Sequence, residues 1–506
     1  MSVLVDLVFR ITEYCELGID GVLGICAILA AFATIGAPAP VGSARERNHI
    51  MELIEAAHLD DVAIEEFESG LRGRILRAGD PDYDVARRHY NALINKHPAL
   101  IVQCAGVADV IDAVNFARTH RILVAVRGGG HNVAGRALVD GGMVIDLTPM
   151  KGIRVDPVRR TIRAQGGVTW GEFDRETCVF NLATTGGLVS TTGIAGFTLG
   201  GGLGWLMRKH GLACDNLLSV DLVTAEGDFM TVSDQEHPDL FWGLRGAGPN
   251  FGVATSLQFR LHPVGPMLAG RLVFPLAQAK EVFHVFHEIT QTAPDEFTGT
   301  CVLRTLSDGA PVVAVNLCYN GPIDMGEAVV EPLRRLGSPI GDLVHPMTYL
   351  EVQSLVDPLY PPGLCQYWKS SFVQELSAEA IDTIIEHFAS VSSPLTLVIL
   401  DQLGGAVGRV GAEESAFGYR EAAHDILITS LWRDPMESER HILWTREYWE
   451  AMQPFSSGLT YVNYLDEGRP GSAAYGAAKY ERLVSLKYRY DPTNLFRMNV
   501  NIQPTA

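Results

Sequence analysis

Apolar and polar positions change rhythm twice along this chain. Ile64–Arg74 and Asp84–Asn95 read as polar or amphipathic helical segments, joined by a turn at Pro81. From about Pro98 the units shorten. Leu100–Cys104 reads as a strand, and Val107–Arg121 as a helix with Val110, Ile111, Val114 and Ala117 on one face. Leu123–Val126, Val144–Leu147, Ile153–Val155 and Thr161–Gln165 are β-branched runs bounded by turn residues, as strands are. Trp170–Phe180 and Asp239–Arg245 read as helices. Leu217–Thr224 and Phe229–Val232 flank Glu226-Gly227, which signals a hairpin, and Val253–Leu261 is a further strand. The mixture predicts an α+β region rather than strict βαβ repeats.

Pro263–Pro266 breaks the rhythm, and longer units follow: strand Arg271–Phe274, helix Ala277–Gln291, strands Thr298–Thr305 and Val312–Tyr319, helix Met325–Leu336. Then come strand Trp368–Val373, helix Ala378–Ser390, strands Leu395–Leu400 and Asp425–Trp432, and helix Glu437–Met452. This order predicts an antiparallel sheet covered by helices on one face. The tail, Leu459–Pro504, is dense in Tyr and Asn and reads as a return to the first region. The expected division is therefore 60–266, 267–455 and 456–506, preceded by an extension over 1–45.

Composition narrows the function. A net charge of −19 argues against nucleic acid or an anionic membrane surface as partner. Eight cysteines are scattered with no CxxC pair, so neither a structural zinc site nor a disulfide framework is expected. In the extension, Gly21–Ile35 is apolar but shorter than the ~20 residues of a membrane span. Its flanks carry Asp6, Glu13, Glu16 and Asp20 against Arg10, unlike the basic start of a secretory signal. An atypical signal, a packed helix and a misplaced start all remain open, with a cytoplasmic location expected.

Candidate chemistry concentrates in two glycine-rich stretches. In the first, strand Leu123–Val126 leads through Arg127 into Gly128, Gly129 and Gly130, then His131 and Asn132. Such a run makes sense where backbone N–H groups must approach a flat or anionic ligand, with the histidine placed to bind or react. The second, Thr184–Trp205, holds eight glycines in 22 residues and no charge. Neither G-x-G-x-x-G nor G-x-x-x-x-G-K-S/T spacing is present, so Rossmann and phosphate-loop readings fail. The absence of G-x-S-x-G and H-E-x-x-H likewise lowers hydrolase and zinc-protease readings. Two such loops imply an extended ligand wrapped by backbone, such as a dinucleotide.

Arg127-Gly-Gly-Gly-His131, with Asn132-x-x-Gly135, resembles the FAD-attachment motif of the vanillyl-alcohol-oxidase superfamily, and more narrowly the berberine-bridge-enzyme-like oxidoreductases. Gly193-x-x-Gly196-x-x-x-Gly200-Gly-Gly202-x-Gly204-Trp205, then Gly211-Leu-x-x-Asp215-Asn216, is similar to the family's second flavin segment. Asp239-Leu-Phe-Trp-x-x-Arg245-Gly246 and Asn250-Phe-Gly-Val253 resemble the next. Phe417-x-x-Arg420, Tyr461-Val-Asn463-Tyr464 and Tyr490-Asp-Pro-x-Asn494-Leu-Phe496 resemble its C-terminal signature. The likeness runs in order from about Arg72 to Pro504.

The resemblance implies a PCMH-type FAD-binding domain of two α+β subdomains plus a substrate domain. It implies FAD bonded covalently to His131. The family's second tether, a cysteine, falls on Val189, so attachment through His131 alone is expected, with Cys178 and Cys214 off register. Thr192 borders the expected oxygen path, and Asn463, Asn499 and Asn501 suit the flavin's polar edge. Tyr461 is implied as the base beside the ring, and Asp401 matches in position an acidic partner found in the family's sugar oxidases. Lys369 and Arg420 are read as structural ions. The expected activity is hydride transfer from an alcohol, sugar or secondary metabolite, with molecular oxygen as acceptor. Oxidative cyclisation or amine oxidation, a dehydrogenase with another acceptor, and a flavin-carrying binding protein are the alternatives.

Overall fold

The computed structural model describes residues 60–373, 375–466 and 471–505; the extension over 1–45 lies outside them. Asp60 caps the first helix, Asp61–Gly70, accepting from the Val62 N–H at 3.1 Å. That helix ends before Arg74, which instead opens strand β1, Arg74–Leu76. The expected helix Asp84–Asn95 is only one turn, Tyr83–Ala86. A tertiary bond set replaces the rest. The buried Asn91 amide donates to Val133 O at 2.8 Å and Gln366 O at 2.9 Å, and its oxygen accepts from Gln366 N–H at 2.9 Å.

β1 pairs with β2, Leu100–Gln103; β3, Val124–Arg127, and β4, Met143–Asp146, complete a sheet in the order β1-β2-β4-β3. β2 and β3 both run parallel to β4, so helix Val107–Thr119 is a true crossover between them. The helix buries Val110, Ala113, Val114 and Ala117, one stripe at helical spacing. A second, antiparallel sheet has the order β5-β6-β9-β7-β8. Its strands are β5 Ile153–Asp156, β6 Thr161–Gln165, β7 Leu217–Val223, β8 Phe229–Ser233 and β9 Val253–Arg260. The β7–β8 hairpin turns at Gly227 with φ +82°, a conformation open to glycine.

The third sheet comprises β10 Met267–Pro275, β11 Phe297–Thr305, β12 Pro311–Tyr319, β13 Cys365–Val373, β14 Leu397–Gln402 and β15 His424–Trp432. Their order is β10-β12-β11-β14-β15-β13, antiparallel throughout, with short edge strands Gly341–Asp342 and His345–Met347 on β10. One face presents Leu303, Val315, Val398, Leu400, Ile426 and Ile428 to helices Ala279–Thr292, Ile323–Arg334, Ala378–Phe388 and Ser438–Met452. Because strand side chains alternate, the intervening residues Thr300, Val302, Ile399, Asp401 and Leu427 face the other way. The tail helix Ala477–Tyr490 buries Leu483, Leu486 and Tyr490 in one core with Leu240, Phe251 and Leu257. The last residues thus return to the glycine-rich region. Among the described residues no helix is long and apolar enough to cross a membrane.

Candidate active site

The chain leaves β3 directly into the three glycines, and packing explains part of their need. A Cβ on Gly129 would lie 2.3 Å from Gly193 N, and one on Gly193 would lie 2.3 Å from Gly129 N. The two glycine stretches therefore touch backbone to backbone, which any side chain would prevent. Gly130 has φ +68° and lets the chain turn into His131. Gly128, Gly129, Gly130, Asn132, Thr192, Gly193 and Gly196 line one wall of a single continuous cavity.

His131 stands in that wall with its ring stacked on Tyr90, the centroids 3.9 Å apart. Its Nε2 is 2.8 Å from Thr191 Oγ1 and its Nδ1 is 3.3 Å from Thr192 Oγ1. Burial lowers its pKa to about 4, so the imidazole is neutral at pH 7 and keeps a nucleophilic lone pair. Val189 shares the wall and offers no sulfur. Burial also pushes the Cys178 thiol up to about 12 and the Cys214 thiol well above its usual range, and neither borders the cavity.

Another part of the lining comes from the face of the third sheet turned away from its four covering helices, part of which also packs on the short helix Tyr349–Gln353. Asn316, Thr300 and Asp401 form a polar row across β12, β11 and β14, by direct pairing. Beside them lie Val302, Ile399, Leu397 and Leu427, then the rings of Trp368, Tyr360 and Tyr464. Asp401 is 5% exposed, and burial raises its pKa to about 7. It is the one carboxylate among the described residues lining the cavity.

The tail closes the cavity. Asn463 donates to Phe197 O at 3.0 Å and to the Tyr461 hydroxyl at 2.7 Å. A Cβ on Gly200 would come within 2.0 Å of Asn463 Oδ1, so that glycine admits the asparagine. Asn499 donates to Pro249 O at 2.9 Å and Phe496 O at 2.8 Å, while its buried Oδ1 has no partner. An orphaned amide oxygen is costly, and a ligand N–H at the cavity wall would satisfy it. A glycine-rich backbone cradle and this orphaned acceptor lining the same cavity fit a flavin dinucleotide.

Several expected contacts fall elsewhere. Tyr461 is fully buried and absent from the cavity wall. Its hydroxyl accepts from Gly202 N–H at 2.8 Å and from the Asn463 amide, and burial holds its pKa above the ordinary phenol value. Tyr464, three residues on, is the tyrosine of that segment on the wall. Asn216 braces a turn by donating to His210 O and Leu212 O, each at 2.9 Å. Arg127 donates to Ala86 O, Gly135 packs on Ile94, and Gly202 packs on Ala213 and Phe197. Gly204 abuts Gly186 O, Val253 belongs to the core, and Asn501 lies off the wall. Lys369 pairs with Asp466 at 2.6 Å and Arg420 with Asp215 at 2.6 Å, as structural ions do. Among the described residues no cluster of metal-ligating side chains occurs. Tyr90, Thr300, Asn316, Tyr360 and Trp368 carried no sequence signal; Tyr464 belongs to the Tyr461–Tyr464 motif, which implied a role only for Tyr461 and Asn463.

Comparison with known proteins agrees with this cradle. A family described as FAD binding domain matches residues 98–233, and one described as berberine and berberine like matches residues 460–503. An FAD-linked oxidoreductase of Dictyostelium discoideum is 32% identical over 446 residues, covering 87% of this chain and 97% of the relative. (R)-6-hydroxynicotine oxidase of Paenarthrobacter nicotinovorans is 31% identical over 448 residues, covering 86% and 97%. The crystal structure of 6-hydroxy-D-nicotine oxidase from Arthrobacter nicotinovorans has a TM-score of 0.80 and 29% identity, covering 86% of this chain and 98% of that one. The backbone cradle, the C-terminal asparagines and these likenesses together show that the chain belongs to the berberine-bridge-enzyme-like, PCMH-type FAD-linked oxidoreductases.

Proposed function

We propose that this oxidoreductase carries its FAD on His131 alone and oxidises an activated C–H of a small amphipathic alcohol or amine, with Asp401 as the base. The observation that carries the reading is that one buried carboxylate lines the same cavity as the glycine cradle. FAD, when bound, supplies a two-electron acceptor at its N5. The chain's own residues do the rest. Asp401, ionised above about pH 7, takes the hydroxyl or amine proton of the substrate. Thr300 and Asn316 hold the substrate's polar end, and Val302, Ile399, Leu427 and the Trp368 ring cover its apolar part and exclude water. That wall favours an apolar secondary metabolite over a polyhydroxylated sugar. The name of the nicotine-oxidising relative supports keeping amines beside alcohols.

His131 is neutral and lines the cavity, while Val189 removes the cysteinyl alternative. Acid precipitation tests the bond: yellow colour stays with the protein and is lost in His131→Ala. Colour released from the parent protein would refute it. Thr192 is small beside the cradle, which supports molecular oxygen as acceptor, reduced to hydrogen peroxide. Anaerobic bleaching of the flavin band by apolar alcohols, aromatic amines and sugars tests the substrate class. Bleaching by sugars alone would overturn the proposal.

A further inference from the structure

Two aspartates meet on the face of the third sheet that lines the cavity. Asp401 on β14 is the direct cross-strand partner of Asp425 on β15. Opposed residues of an antiparallel pair project from one face, with Cβ atoms about 4.5–5.5 Å apart. Asp401 belongs to the cavity wall; Asp425 is wholly buried one strand further in, and neither of its carboxyl oxygens has a hydrogen-bond partner. The groups facing the two are Thr300 opposite Asp401 on β11, Phe372 opposite Asp425 on β13, and the Tyr360 and Tyr464 rings near them. His424 precedes Asp425 but projects to the other face, towards His287. No ion pair with either carboxyl occurs among the described residues. Two buried carboxylates so close, with no cation between them, cannot both ionise.

We propose that Asp401 and Asp425 share one proton, and that Asp425 is a positioning residue that keeps this proton so that Asp401 carries the negative charge. This rests on the reading of Asp401 as the base. Burial raises both groups, Asp401 to about 7 and Asp425 well above the usual carboxylate range, as the assignment requires. A protonated Asp425 is a donor, and the carboxylate opposite is its nearest strand partner. During turnover the substrate's O–H or N–H proton would pass to Asp401, while the carbon's hydrogen would leave with the C–H bonding pair as hydride to the bound FAD, leaving a C=O or C=N bond. The pair then holds two protons and no charge, and one proton returns to solvent before the next cycle.

The experiment uses the FAD-loaded enzyme and reads protonation separately from activity. Infrared difference spectra at pH 8 should show the carbonyl stretch of a protonated carboxyl, absent in Asp425→Asn. Asp174→Asn serves as control for the other buried carboxyl with a raised pKa. The acid limb of kcat/KM should rise by at least one pH unit in Asp425→Leu, which lacks a donor, and return in Asp425→Asn, which supplies one. An infrared band unchanged in Asp425→Asn, or an acid limb unmoved in Asp425→Leu, overturns the shared proton. If Asp401→Asn reduces its flavin as fast as the parent, the base reading fails instead, and the infrared band still decides the pair.

Discussion

Replacing Lys487 with Met should be among the most costly single changes on the tail helix. Lys487 and Asp491 are both 0% exposed and 2.7 Å apart. The ammonium spends its remaining donors on Asn250 O at 2.8 Å and Phe496 O at 2.9 Å. Asp491 in turn accepts from Leu495 N–H at 2.7 Å and Phe496 N–H at 2.9 Å. Methionine fills much of the lysine's volume but leaves a buried carboxylate without a counter-ion, which costs roughly 3–5 kcal/mol. With about 2.1 cal/mol/K of unfolding entropy per residue over ~450 residues, that is a fall in Tm of about 3–5 °C. The double variant Lys487→Met/Asp491→Asn removes the orphaned charge while keeping an amide oxygen for the backbone, so at least half of the loss should return. Thermal unfolding followed by circular dichroism measures both, and flavin fluorescence reports whether the Asn499 segment loosens first. A single-variant cost under about 1 kcal/mol, or a double variant no better than the single, would show that the pair is not held as an ion pair.

Gly129→Ala should separate the two glycine stretches, because its methyl meets backbone rather than a movable side chain. Overpacking of this kind costs about 1–3 kcal/mol. Purified protein should keep its far-ultraviolet spectrum and lose most of its FAD, and full cofactor content would contradict the cradle. Asp174 is fully buried and raised to about 7 by burial. A carboxyl raised on folding contributes stability below its unfolded pKa, lost as pH rises through the folded value. Asp174→Asn should therefore gain on the parent between about pH 4 and pH 7, by roughly 1.4 kcal/mol per pH unit at most. Urea midpoints at pH 5 and pH 8 check this, and equal differences at the two values would exclude it.

What the sequence determined was local. Short apolar, β-branched runs such as Val312–Tyr319 and Asp425–Trp432, bounded by turn and polar residues, announced strands, since such a pattern needs only neighbours in the chain. The glycine runs announced a backbone-built surface for the same reason, and Val189 announced that a sulfur was missing. The tertiary structure decided which groups meet. Asn91 gave up helical structure for partners 42 and 275 residues away, which no window of sequence contains. Asn216, read as a cofactor contact, turns its amide N–H groups to two carbonyls of its own loop. The turn at Val462–Tyr464 sent Tyr461 into the core and left Tyr464 at the cavity. Asp401 faces both the cavity and Asp425 only in the observed register, and a slip of one residue would turn it to the helix-covered face. Residue types and their spacing therefore set the cradle, whereas strand register and long-range hydrogen bonds set which polar groups share its cavity.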